Sequence, residues 1–126
     1  MMIILKSQII HSVVDNKVLS LLLLLIVFDI FTGICRAGVK KNLNSSIGLK
    51  GLLKHTLIII TNIGIVIITP IFEMEKIGIS LLIFYIIQYS FSILENFIIL
   101  DIPIPLFLYE KLMEKNAEYK KYERND

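Results

Sequence analysis

The sequence predicts an all-α membrane protein with about three transmembrane helices, the second and third forming an antiparallel hairpin. Three observations predict it. Apolar residues make up 56% of the chain and mean hydropathy is +0.77, where soluble domains hold roughly 45–50% apolar residues. Charged residues make up only 19% and stand in bunches. Between the bunches run Leu, Ile, Val and Phe stretches long enough to cross a bilayer. A chain of 126 residues leaves much of its surface exposed on folding, so a water-facing globule could not hide this much apolar area. Lipid removes that difficulty, and one membrane domain over 1–126 is expected.

The first element, residues 1–16, is amphipathic. Ile3, Ile4, Leu5, Ile9, Ile10, Val13 and Val14 recur at helical spacing, and Lys6, Gln8, His11 and Asp15 interrupt them too early for a span. An interfacial helix lying on the membrane and the frayed start of the next helix both fit. The apolar run that follows has no small-residue cleavage site, so it is read as a retained span.

Residues 18–35 form that first span, built on the block Leu21 to Phe28. Asp29 interrupts it. A central Asp costs roughly 2.5–3.5 kcal/mol on insertion, and each surrounding Leu, Ile, Phe or Val returns roughly 0.3–0.6 kcal/mol, so the segment still inserts. Residues 36–54 are expected to be a basic loop. They carry Arg36, Lys40, Lys41, Lys50 and Lys54, no acid, and the turn formers Asn42, Asn44, Ser45, Ser46, Gly48 and Gly51. Residues 55–72 are the second span, with its helix extending back to about Gly51. Pro70 and the short link from Glu73 to Lys76 follow, then the third span, 77–100. So short a link forces neighbouring helices antiparallel. The run Asp101 to Pro105 breaks the helix through its two prolines, and 101–126 is a charged tail.

Lys and Arg placement sets the orientation. Ten of the 13 lie in the 36–54 connector or after residue 101, segments that three spans put on one side. The N-terminus is therefore expected outside and the C-terminus in the cytoplasm.

Asp29 is the sharpest candidate. Asp29, Gly33, Arg36 and Lys40 share one helix face. An intramembrane carboxylate normally faces a bundle interior or water. It either faces a pore and controls assembly, or it is satisfied by Arg36 or Lys40 at the membrane edge. Gly33 and Ala37 form a small-xxx-small pair of the kind that lets helices approach closely in lipid, although such pairs are common. Gln88, Ser92 and Glu95 form a polar stripe with Asn96 beside it. The stripe fits a pore lining, bonding between protomers, or ordinary bonding within one protomer. Lys40, Lys41, Lys50 and Lys54, with Arg36, set topology, and the lysines could also hold anionic lipid head groups.

No catalytic set converges in this sequence. The single cysteine, Cys35, excludes an intrachain disulfide and any multi-cysteine metal site, and is read as a small packed residue. His11 and His55 stand apart without metal-ligand spacing, and no Gly-rich phosphate loop occurs. No enzyme activity, cofactor or nucleic-acid partner is expected.

Two stretches resemble the phage-lysis and toxin-secretion holin family of Gram-positive bacteria and their phages. One is Phe28-Asp29-Ile30-Phe31-Thr32-Gly33 followed by Lys40-Lys41-Asn42-Leu43-Asn44-Ser45-Ser46-Ile47-Gly48-Leu49-Lys50-Gly51. The other is Ser92-Ile93-Leu94-Glu95-Asn96 followed by Ile102-Pro103-Ile104-Pro105. Their order and spacing, over about 27–112, carry the likeness. The resemblance implies a protein of the bacterial cytoplasmic membrane that forms homo-oligomeric lesions. Through these an endolysin or a large toxin leaves the cell, without necessarily binding the holin. An antiholin-type regulator, or an accessory subunit bound to a larger membrane partner, would need the same spans and remains the alternative.

Overall fold

The computed structural model describes residues 1–41 and 43–124. Asn42, one of the expected turn formers, and Asn125 and Asp126, at the end of the expected tail, lie outside the described residues. The described chain is all helical: α1 Met2–Val14, α2 Lys17–Val39, α3 Ser45–Ile71, α4 Glu75–Ile99 and α5 Leu106–Arg124. The helices α2, α3 and α4 have 23, 27 and 25 residues and are each apolar and long enough to cross a membrane. At 1.5 Å per residue even α2 exceeds the roughly 30 Å hydrocarbon core.

Local signals explain the helix ends. Asn16 caps α2, its side chain accepting from the Leu19 amide at 2.9 Å, and Asn44 caps α3 by accepting from the Ser46 amide at 3.0 Å. This second cap changes the expected boundaries. Residues 36–54 are not a loop: α2 runs on to Val39 and α3 starts at Ser45, well before Gly51. Gly48 and Gly51 cost helix stability, about 1 kcal/mol each. A good cap and the apolar run Leu49, Leu52, Leu53 carry the helix through them. Lys50 and Lys54 therefore stand on the first turns of α3 rather than on a loop, and both are exposed.

The other ends use left-handed caps on residues other than glycine. Glu73 has φ 55° and Asp101 has φ 58°. At the first, the Met74 amide donates to the Thr69 carbonyl at 2.8 Å; at the second, the Ile102 amide donates to the Phe97 carbonyl at 2.9 Å. Both satisfy carbonyls that a helix end leaves open. The helix α4 thus stops at Ile99, before Pro103 and Pro105 can act on it.

The helix α2 packs most extensively on α4, while α3 packs on α4 and more lightly on α2. The shared core holds Leu19, Leu22 and Ile26 of α2, Val66 of α3, and Leu82 and Tyr89 of α4. The buried positions of α2 (Leu19, Leu22, Ile26, Asp29, Thr32) recur at steps of three and four, the rhythm of a seam between helices. At the opposite end of α4, Gly78 permits close approach. A Cβ built there would stand 2.6 Å from Thr69 Oγ1, and that hydroxyl is tied to the Ile65 carbonyl at 2.7 Å. Outside the seams the spans present large apolar side chains, including Leu24, Val27, Phe31, Ile60 and Phe84. The amphipathic α1 rests on α3, with Val13 against the core.

Candidate polar site between the spans

The seam between α2 and α4 turns polar in the C-terminal half of both helices. Asp29, Thr32 and Asn96 are all buried there. The Asn96 amide nitrogen donates to Thr32 Oγ1 at 2.8 Å and to Asp29 Oδ1 at 3.3 Å. Its amide oxygen accepts from Arg36 Nη1 at 3.3 Å. Thr32 Oγ1 donates in turn to the Asp29 carbonyl at 3.1 Å. One asparagine therefore joins three residues of α2. The helix α3 closes the third side: His55 Nδ1 is 2.7 Å from the Tyr89 hydroxyl, and His55 Nε2 is 4.0 Å from Asp29 Oδ2. The result is a polar chain, Tyr89–His55–Asp29–Asn96–Arg36, crossing three apolar helices. Groups of this kind in lipid must find partners inside the protein.

This arrangement sorts the candidates. Asp29 and Asn96 meet. Arg36 reaches Asn96, not Asp29, and among the described residues the basic side chain within 4.0 Å of the Asp29 carboxylate is His55. Gly33 faces the same seam, where a Cβ would lie 3.9 Å from Asn96 Nδ2, an ordinary contact. Ala37 is half-buried and takes no part in the polar chain. Lys40 and Lys41 sit exposed at the end of α2.

Gln88, Ser92 and Glu95 do not join Asn96. They lie on the neighbouring face of α4, where they line an open cavity of about 340 Å³ together with Asp29, Lys54 and Lys115. There the Lys115 ammonium donates to Gln88 Oε1 at 3.4 Å and lies 4.9 Å from the centre of the Phe91 ring.

Three further polar residues of the bundle, Thr32, His55 and Tyr89, join the site without a signal in local hydropathy. The heptad step could have found two of them. Tyr89 stands seven residues before Asn96, on the same stripe as Ile93, and Thr32 continues the stripe from Leu22 and Ile26. A further residue, Asn62, is fully buried in α3. Its amide nitrogen donates to the Ile58 carbonyl at 2.8 Å, while its Oδ1 has no partner. Among the described residues no group of three His, Cys, Asp or Glu side chains is placed to hold a metal ion.

Comparison with known proteins places this architecture. The model of the bacteriophage holin family matches residues 10–116, a stretch that takes in all three long apolar helices and the whole polar seam. The chain belongs to the bacteriophage holin family. Three relatives that it resembles are themselves uncharacterized proteins. An uncharacterized protein of Clostridium perfringens (strain 13 / Type A) is 36% identical over 97 residues, covering 75% of this chain and 72% of the relative. An uncharacterized 14.9 kDa protein in the nagH 3′ region of Clostridium perfringens is 35% identical over 97 residues, with 75% and 74% covered. An uncharacterized protein of Halalkalibacterium halodurans is 36% identical over 93 residues, covering 69% of each chain. No solved structure matches. Family and hydropathy together make this holin-family chain a multi-pass membrane protein of holin-like function.

Proposed function

We propose that this chain is a holin that accumulates in the bacterial cytoplasmic membrane, oligomerises, and opens lesions that release an endolysin or a large toxin. The family match over residues 10–116 carries this reading. The polar chain supports it with a mechanism. In a single protomer, Asp29 is buried, and among the described residues its carboxylate makes only long contacts, to Asn96 at 3.3 Å and to His55 at 4.0 Å. A carboxylate can accept at about four sites, so Asp29 is under-coordinated where donors are scarce. Lesion formation hydrates it and removes that desolvation cost. The apolar exterior of α2 to α4 supplies surface for packing between copies, and packing rather than the hydrophobic effect drives helix association in lipid.

The orientation that fits the lysine and arginine placement has the N-terminus outside and the C-terminus in the cytoplasm. Cysteine labelling tests it in a Cys35→Ala background: Lys76→Cys reacts from outside in intact cells, and Ser46→Cys does not. Reaction at position 46 instead would reverse the topology.

Function is tested by controlled expression beside a cytoplasmic endolysin that lacks an export signal. Abrupt lysis after a delay, requiring both proteins, is expected. Steady growth with the chain present in the membrane would reject the holin reading in favour of a regulator or an accessory subunit. In the same system Asp29→Asn keeps membrane insertion and shifts the moment of lysis. An unchanged lysis time would remove Asp29 from the timing mechanism.

A further inference from the structure

We propose that the cavity beside the polar seam binds the head group of an aminophospholipid, a zwitterion with a primary ammonium and a phosphate. The inference concerns the single protomer before lesions form and shares Asp29 with the proposed mechanism: the head group satisfies the carboxylate until assembly displaces it and water takes its place. The charged side chains that line the cavity are two carboxylates, Asp29 and Glu95, and two ammonium groups, Lys54 and Lys115. A purely anionic ligand would meet both carboxylates there, and a purely cationic one both lysines. A zwitterion answers both pairs.

Asp29 is the main argument for the ammonium end. It is only 7% exposed, yet its two contacts within the protomer are the long ones already described. A primary ammonium brings three N–H donors and gives the carboxylate the charge-assisted bonds that the protein withholds. Phe84 and Tyr85 of the lining add aromatic faces, which attract cations. For the phosphate end, Lys54 and Lys115 offer point charges. Lys115 is already positioned by Gln88 at 3.4 Å and by the Phe91 ring at 4.9 Å.

Size and surroundings identify a lipid as the source. At about 340 Å³ the cavity lies at the small end of ligand pockets, roughly 300–1,000 Å³. It accommodates a head group but not acyl chains. Chains would run outside it, over the exposed apolar surface that Phe84 and Ile60 present to the bilayer.

The test uses the purified full-length chain in detergent micelles. Short-chain phosphatidylethanolamine, phosphatidylcholine and phosphatidylglycerol are titrated separately, and bound adducts are counted by native mass spectrometry. Phosphatidylethanolamine is expected to bind roughly tenfold more tightly than the other two. Phosphatidylcholine has no N–H for Asp29, and phosphatidylglycerol has no ammonium. Asp29→Asn should abolish the preference over phosphatidylcholine. Lys115→Gln, on an exposed side chain that leaves the core intact, should weaken phosphatidylethanolamine binding several-fold, with helix content checked by circular dichroism. Equal affinity for the three lipids, a preference for phosphatidylglycerol, or a preference that survives both substitutions would overturn the assignment. Free O-phosphoethanolamine binding as tightly as the lipid would overturn the lipid source.

Discussion

Replacing Asn96 by leucine tests whether the polar seam holds α2 and α4 together. The substitution keeps the number and branching of side-chain heavy atoms and removes three interhelical hydrogen bonds: to Thr32 at 2.8 Å, to Asp29 at 3.3 Å and to Arg36 at 3.3 Å. In membranes such bonds contribute on average about 0.6 kcal/mol each, with a maximum near 1.7 kcal/mol. The short Thr32 bond belongs near the upper part of that range and the two long ones near the mean. Together they predict a loss of about 2 kcal/mol. The stranded Asp29 carboxylate adds to the loss, and the better fit of leucine to lipid-like surroundings offsets part of that addition. Unfolding in mixed micelles, followed by circular dichroism against denaturing detergent, reads this difference. Gln88→Leu is the matched control on the same helix. Gln88 is exposed and its contact is Lys115 at 3.4 Å, so its loss is expected to stay below about 0.5 kcal/mol, as for a surface site. A double-mutant cycle of Asn96→Leu with Thr32→Ala should show coupling near 1 kcal/mol. The reasoning fails if Asn96→Leu unfolds at the wild-type midpoint, if the control costs as much, or if the cycle is additive.

Further expectations follow from particular contacts. Gly78→Ala drives a methyl to 2.6 Å from Thr69 Oγ1, so it should destabilise the α3–α4 hairpin by about 1–3 kcal/mol; Thr69→Ala should recover part of this in the double variant, and an unperturbed single variant would show that the helices separate freely there. Asn62→Leu removes a buried amide oxygen without a partner; it should raise protomer stability by about 1 kcal/mol, within the usual penalty for such a group, as measured by the same micelle unfolding, and a loss of stability would mean that the oxygen is satisfied. The two should differ in lysis as well: loosening the hairpin with Gly78→Ala should move lysis timing in the opposite direction from Asn62→Leu, and timing insensitive to both would disconnect protomer stability from triggering.

Much of this architecture was legible in the sequence because it depends on local quantities. Hydropathy, summed over a window, located the three spans, and the lysines and arginines marked their flanks. The link from Glu73 to Lys76 left the second and third helices no course but antiparallel. The helix α3 starts about six residues before Gly51, because the Asn44 cap outweighs the glycines and serines that favour a turn. Asp29 and Asn96 each drew notice as polar residues in apolar surroundings.

Their partnership was another matter, because 67 residues separate them. Whether two residues meet across a seam depends on the rotation of each helix about its axis and on their relative height. Hydropathy is nearly uniform around these helices, so it specifies neither. The sequence therefore sets Asn96 beside the stripe of Gln88, Ser92 and Glu95 but does not say that Asn96 meets α2 while the stripe opens onto a cavity. His55 looked solitary for the same reason, as its partners stand on two other helices. By itself the sequence determined that this chain inhabits a membrane, how many times it crosses, and which residues are too polar to face lipid. Only the tertiary structure decided which of those residues share a seam and which open onto a cavity, because that choice is made by packing between helices distant in the chain.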